Sequence, residues 1–537
     1  MGSRVLFLTN SELGQASLCL AIAHELLHQP TYVVHIASFE PLRDAVSQLN
    51  LRAVTAAAAN QSVTTATFHP ISGLSMRQTL EQRRSFNPTH AFQVHGLGYD
   101  AAVRAYRDVL VRALAPWTGE EYMRVYRNCE EVVDRLEPAL IVVDPLFTQA
   151  VDACRQLDKK YVVLSPNTFK EHVAQPWLAN LWKYPMYVFF FFFTPKSSCM
   201  NEANLIRVCS GYPYPLPRNL IFQNAMLAIR FLVTYKTDRQ VRDVEKHRKA
   251  NGLSGSIPDM TIDSNDKNVL AVILASRLEY EYPCFLPSKF VLCGPIIRPF
   301  APIADENPDL ARWLAQWPTV LVNLGSIAQF SPTIEREFAR AVRSILEVRG
   351  SAQVLWKLPR PASATSPSGV ITDPTAVEIL SYFMEQDRLR TMTWLPVEPS
   401  SLLQSGHVKC VVHHGGANSY HEAIRFVFPQ GLHFNFYLLT NTTCSAGVPQ
   451  VIAPIWFDTF DFAQRVEYLG IGYWGNQLHA PGVCGPELGQ AVKRILFTER
   501  GRKVTKRARE MAAKVGSKEG RVVACEKIMK LTPSRLD

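Results

Sequence analysis

The stretch that decides the fold is "CVVHHGGANSYHEAI", Cys410 to Ile424. An apolar run leads into a Gly-Gly turn, and a helical pattern follows. A strand, a tight turn and a helix in that order form half of a parallel α/β unit. Glycines let a phosphate approach the backbone, and the free N–H groups and dipole of the helix N-terminus favour an anion. In an open α/β sheet, ligands bind beyond the carboxyl ends of the strands. His414, Asn418 and Ser419 could add donors there, and Glu422, one turn on, could accept hydrogen bonds from a ribose diol. The same pattern also suits a buried corner with a satisfied histidine.

Outward from this stretch the pattern repeats. "RVLFLTN", "YVVHIAS", "ALIVVDP" and "KYVVLSP" read as strands in the first half, and "TVLVNLGS", "AQVLWKL" and "PQVIAP" in the second. Amphipathic stretches such as "GQASLCLAIAHELLHQ" separate them. Continuous apolar strands alternating with helices indicate parallel sheets covered on both faces. At 537 residues the chain is too long for one ordinary domain. The Pro-rich stretch Tyr280 to Pro302 reads as a linker. Two domains are expected, 1–288 and 289–537, and the tail from Glu487 to Thr532 should be mostly helical.

Composition narrows the function. The net charge is +10, but the densest basic run, "ERGRKVTKRAREMAAK" from Glu499, has interleaved Glu at helical spacing. It reads as a solvated helix face, so no nucleic-acid partner is expected. Eleven cysteines without a CxxC pair fit a reducing compartment and no structural zinc. The apolar core of "MGSRVLFLTN" is too short for a signal peptide and reads as the first strand. "MYVFFFFF" falls short of the roughly 18–20 residues of a membrane span. No integral membrane span and a cytoplasmic location are expected. "GIGYWG" from Gly470 matches GxGxxG, but it follows a helix, where a dinucleotide site requires strand, glycines, then helix.

"HHGGANSYHE" resembles the HxGxNSxxE core of the nucleotide-sugar motif of family 1 UDP-glycosyltransferases. Its surroundings match in order. "TWLPVEPSSLL" from Thr393 resembles the family's WxPQxxLL, and "GVPQVIAPIWFDTFDFAQRVEYLGIG" from Gly447 resembles its GVP-to-GxG ending. "VLVNLGS" from Val320 and "FVLCGPI" from Phe290 resemble two earlier segments. "TNSELGQAS" and "SGYPYPLP" look most like the filamentous-fungal branch.

The resemblance implies a GT-B fold, two Rossmann-like α/β domains facing a cleft. The first would hold a lipophilic small-molecule acceptor, such as a sterol, polyketide or phenolic. The second would hold a UDP-sugar as co-substrate, with no cofactor. It implies hexose transfer, to a first expectation glucose, with inversion. The chain has no DxD, which fits a metal-independent site. Trp394 would stack on uracil, Glu422 would bind ribose, and Ser326, His414, Gly416, Asn418 and Ser419 would hold the diphosphate. Asp458 and Thr459 stand at the sugar-reading positions.

Three departures matter. Val397 stands where the family has Gln, and Thr459 where plant members have Gln. Gln15 stands where the family has its catalytic His, and a neutral amide is no base. Asp144, in "IVVDP", matches the family Asp and is the remaining base candidate; its other reading is a turn residue beside Pro145. His24 reads as part of a helix face. A nucleotide-sugar-binding protein without transferase activity is the alternative function.

Two uncharged or aromatic-rich segments interrupt these motifs: 187–207, and 426–445 between "HHGGANSYHEAI" and "AGVPQ". Both read as translated introns. Met186-Tyr187-Val188 can be encoded with GTATGT, and Ala203-Asn204 with the branch sequence CTAAC. Arg425-Phe426-Val427 can encode AG|GTTCGT, and Cys444-Ser445 can end in GCAG. Excision of the second restores "HEAISAGVPQ" in frame. Lineage-specific loops are the other reading. If translated, such aromatic stretches favour aggregation. Sequencing the transcript is expected to find both segments absent; a transcript carrying both overturns the intron reading.

Overall fold

The computed structural model describes residues 2–56, 62–83, 95–172, 209–260, 266–283, 286–326, 328–348, 352–359, 369–425, 447–515 and 518–533. Segments 187–207 and 426–445 lie outside the described residues, so the structure does not bear on them.

Two parallel sheets are formed. The first contains β1 (Ser3–Leu8), β2 (Tyr32–Ser38), β3 (Thr67–Pro70), β4 (Leu140–Val143), β5 (Tyr161–Ser165), β6 (Val269–Leu274) and β7 (Phe290–Leu292). Their spatial order is β3-β2-β1-β4-β5-β6-β7. The second contains β8 (Thr319–Asn323), β9 (Gln353–Lys357), β10 (Leu389–Met392), β11 (Val408–His413), β12 (Gln450–Ile452) and β13 (Gly472–Trp474). Its order is β10-β9-β8-β11-β12-β13. The expected dividing line at 288/289 falls just ahead of β7, which pairs in parallel with β6 and so belongs to the first sheet.

The continuous apolar strands are explained by burial on both faces. Leu6 and Leu8 of β1 enter one core with Ile141 and Val143, while Val5 and Phe7 enter another with Leu140 and Val142. In the second sheet Val320 and Val322 face one side and Leu321 the other. The period-two alternation divides each strand between two helical layers.

"GIGYWG" is a helix-to-strand turn. Gly470 ends helix Thr459–Leu469 in a left-handed conformation at φ 68°, and β13 follows. The tail forms helices Gly485–Phe497, Glu499–Lys514 and Gly520–Leu531. The last of these returns to the first domain, where Ala524, Cys525 and Ile528 pack in the same core as helix Leu13–Leu27.

A buried charge network joins the domains. Lys170 Nζ donates to Asp461 Oδ1 at 2.7 Å, with both side chains 5% exposed. Arg465 donates to Asp461 Oδ2 at 2.9 Å and pairs with Glu281. Nearer the surface, Glu398 accepts from Arg52 of the first domain at 2.9 Å and from Arg298 at 2.8 Å. Removing one partner of a buried pair strands the other charge and costs about 3–5 kcal/mol. Asp461→Leu is expected to lower unfolding free energy by about that much in chemical denaturation. Asp309→Ala, in an exposed pair with Arg312, should cost under about 1 kcal/mol. Equal losses would contradict a network that matters through its burial.

Candidate functional site

In each sheet the strand order reverses once, between β1 and β4 and between β8 and β11. A reversal opens a crevice at the carboxyl ends of the two central strands. The sequence candidates fall at these two places. Gln15 and Asp144 follow β1 and β4; Ser326 and His414–Ser419 follow β8 and β11.

The second crevice is built around His414. A Cβ on Gly325 would lie 2.6 Å from His414 Cε1, and one on Gly416 would lie 2.4 Å from its Nε2. The imidazole therefore sits between two glycines that leave it room. Gly415 has φ 88°, and a Cβ there would lie 2.8 Å from the Thr459 carbonyl oxygen. These contacts bring the Gly325–Ser326 turn, His414 and the Thr459 turn together. Burial, then the charges of His413 and Lys357, lower the His414 pKa to about 3, so the ring is neutral. Its Nδ1 is buried without a hydrogen-bond partner. Gly416 is the N-cap of helix Ala417–Ile424 and uses no side chain to cap it. The open backbone donors and the free ring nitrogen give a setting for an anion.

Beside this crevice stands Trp394, which is 54% exposed. Lys357, the last residue of β9, places Nζ 3.5 Å from the Trp394 ring centroid and donates to the Gly325 carbonyl at 3.0 Å. Burial lowers the Lys357 pKa to about 8, opposed by the charge of Glu422. Glu422 is pushed up to about 8, first by burial and next by Glu398. Val397 is buried in an apolar cluster with Trp313 and Leu402, so it presents no acceptor to a ribose.

Two further candidate side chains make hydrogen bonds within the protein. Asn418 Nδ2 donates to the carbonyls of Gly14 at 3.1 Å and Leu13 at 3.3 Å. It bridges the domains. Thr459 is 1% exposed. Its hydroxyl accepts from the backbone of Ile455 and Trp456 at 3.1 and 3.0 Å and donates to the Trp456 carbonyl. It closes its own turn. Asp458 stands at the N-cap of helix Thr459–Leu469. The turn before it, with Phe457 at φ 30°, is held by His95 Nε2, which accepts from Phe457 N at 3.1 Å. Ser419 has no side-chain contact that defines a role.

In the first crevice, Gln15 Nε2 donates to Asn167 Oδ1 at 3.1 Å. Asp144 is buried; its Oδ2 accepts from Asn10 N and Nδ2 at 3.2 and 3.3 Å, and its Oδ1 from Leu146 N at 2.9 Å. Asn10, and not Gln15, is thus its side-chain partner. Burial pushes the Asp144 pKa up to about 6, against those hydrogen bonds. His24 is buried beside Glu25 at 3.4 Å near the far end of its helix, remote from this crevice.

Sequence reasoning missed Lys357, His95 and Glu171. Lys357 left a signal: a lysine closes the otherwise apolar strand "QVLWK". Among the described residues, no helix is long and apolar enough to cross a membrane. None holds three His, Cys, Asp or Glu side chains placed for a metal.

No family model matches the chain. Glycosyltransferase sdnJ of Sordaria araneosa is 31% identical over 559 aligned positions, covering 99% of this chain and 98% of that protein. A UDP-glucosyltransferase from Polygonum tinctorium capable of glucosylating indoxyl superposes with a TM-score of 0.58 at 14% identity, covering 100% of this chain and 99% of the other. A UDP-glucose: anthocyanidin 3-O-glucosyltransferase in complex with UDP gives 0.57 at 14% identity, covering 99% of each.

Glu422 carries a pH signature. Its folded pKa lies above that of a free carboxyl, so the protonated form favours the fold. Its stability contribution is present below about pH 4.5 and is lost as pH rises toward about 8. Glu422→Gln, without ligand, should raise the melting temperature at pH 8.5 and change it little at pH 5. The opposite pH order would contradict the protonated state of Glu422.

Proposed function

The chain belongs to the family 1 UDP-glycosyltransferases, with the GT-B fold, and from that footing we propose that it moves a hexose from UDP-sugar to a hydroxyl of a lipophilic small molecule. The observation that carries the nucleotide end is the neutral His414 between Gly325 and Gly416, with a free Nδ1 at a helix N-terminus. In this reading Trp394 stacks on the base and Glu422 accepts the ribose hydroxyls. Ser326, His414, and the backbone at Gly416 with Ser419 hold the diphosphate, and Asp458 takes sugar hydroxyls. The location is cytoplasmic.

The reaction needs two kinds of help. The acceptor oxygen bonds to the anomeric carbon as the bond to the diphosphate oxygen breaks, and the electron pair leaves on UDP. Attack from the opposite face inverts the centre. The helix N-terminus and Lys357 stabilise the growing diphosphate charge without a metal. Asp144 takes the acceptor proton. Its pKa near 6 leaves it ionised at neutral pH and close to the operating range of a general base. Its burial under Asn10 requires the acceptor hydroxyl to replace an Asn10 contact.

Gln15 at the usual histidine position favours a second reading, a nucleotide-sugar-binding protein without turnover. UDP release and product mass, followed with UDP-glucose over a panel of sterols, polyketides and phenolics, separate the two. Transfer with inverted configuration and no loss in EDTA is expected. Activity should rise with pH through about 6. Asp144→Asn should cost about 100-fold or more in kcat and abolish that acid limb. Undiminished turnover removes Asp144 as base; donor binding without turnover on any acceptor establishes the second reading.

A further inference from the structure

The hydrogen-bond line that begins at Gln15 does not stop at Asn167. Asn167 Nδ2 donates to Glu171 Oε2 at 2.9 Å. Asn167 lies just past β5, and Glu171 lies in the short helix Phe169–His172 that follows. This helix is pinned to the second domain by the Lys170–Asp461 pair, and His421 Nε2 lies 3.3 Å from the Pro166 carbonyl. Glu171 is thereby held at the domain boundary.

Its other oxygen, Oε1, is buried and has no hydrogen-bond partner. A buried carboxylate oxygen left unmatched is costly and calls for a reason. Nearby, Lys170 pairs with Asp461, and Arg465 pairs with Asp461 and Glu281. Across the boundary, Asp458 stands one turn ahead of Asp461, the partner of Lys170. After burial, the charge of Glu171 is the leading cause that raises the Asp458 pKa, to about 8. Burial likewise raises Glu171, with Lys170 opposing. Two carboxyls that repel each other favour a shared proton. Such a pair offers a donor as well as acceptors, which suits the hydroxyls of a neutral sugar.

We propose that Glu171 is a second carboxylate of the sugar subsite, supplied by the first domain opposite Asp458, and that the pair selects a neutral hexose over a uronic acid. This rests on the reading above that a UDP-sugar occupies the cleft with Asp458 at its sugar. A uronic acid would bring a further negative charge to a site that already faces two acids and a diphosphate. The unmatched Oε1 is the group a sugar hydroxyl would satisfy.

The full chain is titrated with UDP, UDP-glucose and UDP-glucuronate by calorimetry. UDP reports the nucleotide half alone. Wild-type protein should bind UDP-glucose more tightly than UDP-glucuronate. Glu171→Ala should weaken UDP-glucose about tenfold while the UDP affinity stays within about twofold. Glu171→Gln should narrow the gap between the two UDP-sugars. Glu171→Asp keeps the charge but withdraws it by one methylene, and should fall between wild type and Glu171→Ala; it carries the test if the alanine variant does not fold. An unchanged ratio of UDP-glucose to UDP affinity in the Glu171 variants overturns the assignment. So does wild-type protein that takes UDP-glucuronate as well as UDP-glucose. Wild-type protein that binds no UDP overturns the underlying nucleotide reading, and the subsite with it.

Discussion

Lys170, Asp461, Arg465 and Glu281 form the contact on which the cleft depends. Each is nearly removed from water, so each charge is tolerable only with its partner in place. That condition fixes where the two domains can meet. Lys170 belongs to the short helix after β5, and Asp461 and Arg465 to the helix that starts at Thr459, just after Asp458. Their pairing therefore sets the walls of the cleft face to face. The same approach lets Asn418 reach the Gly14 carbonyl and sets the His414 crevice against the Gln15 turn.

The second domain was legible in its sequence because its constraints are local. A strand, two glycines and a helix must read as such wherever they occur; the sterics around His414 explain the glycines at 325 and 416, and the Thr459 turn explains the one at 415. The decoy at Gly470 was legible for the same reason, since its order is helix, turn, strand. The two-sheet architecture followed from apolar strands that alternate between two cores.

What the sequence did not show depends on contacts between distant positions. Asn418 looks like a ligand side chain in its motif, yet its partners lie some four hundred positions away in the chain. Thr459 stands at a sugar-reading position, yet its short side chain folds back on its own turn. The line from Gln15 through Asn167 to Glu171 spans two loops of the first domain and ends against the second. No local pattern singles out Glu171. The boundary after β7, and not before it, likewise follows from a strand pairing that the Pro-rich stretch conceals.

A crystal structure of the chain with UDP decides whether the proposed nucleoside diphosphate site lies where β8 and β11 part. The uracil ring is expected on Trp394, the ribose at Glu422, and the diphosphate against His414 and the backbone N–H groups that follow Gly416. UDP bound elsewhere, with this crevice empty, would contradict it.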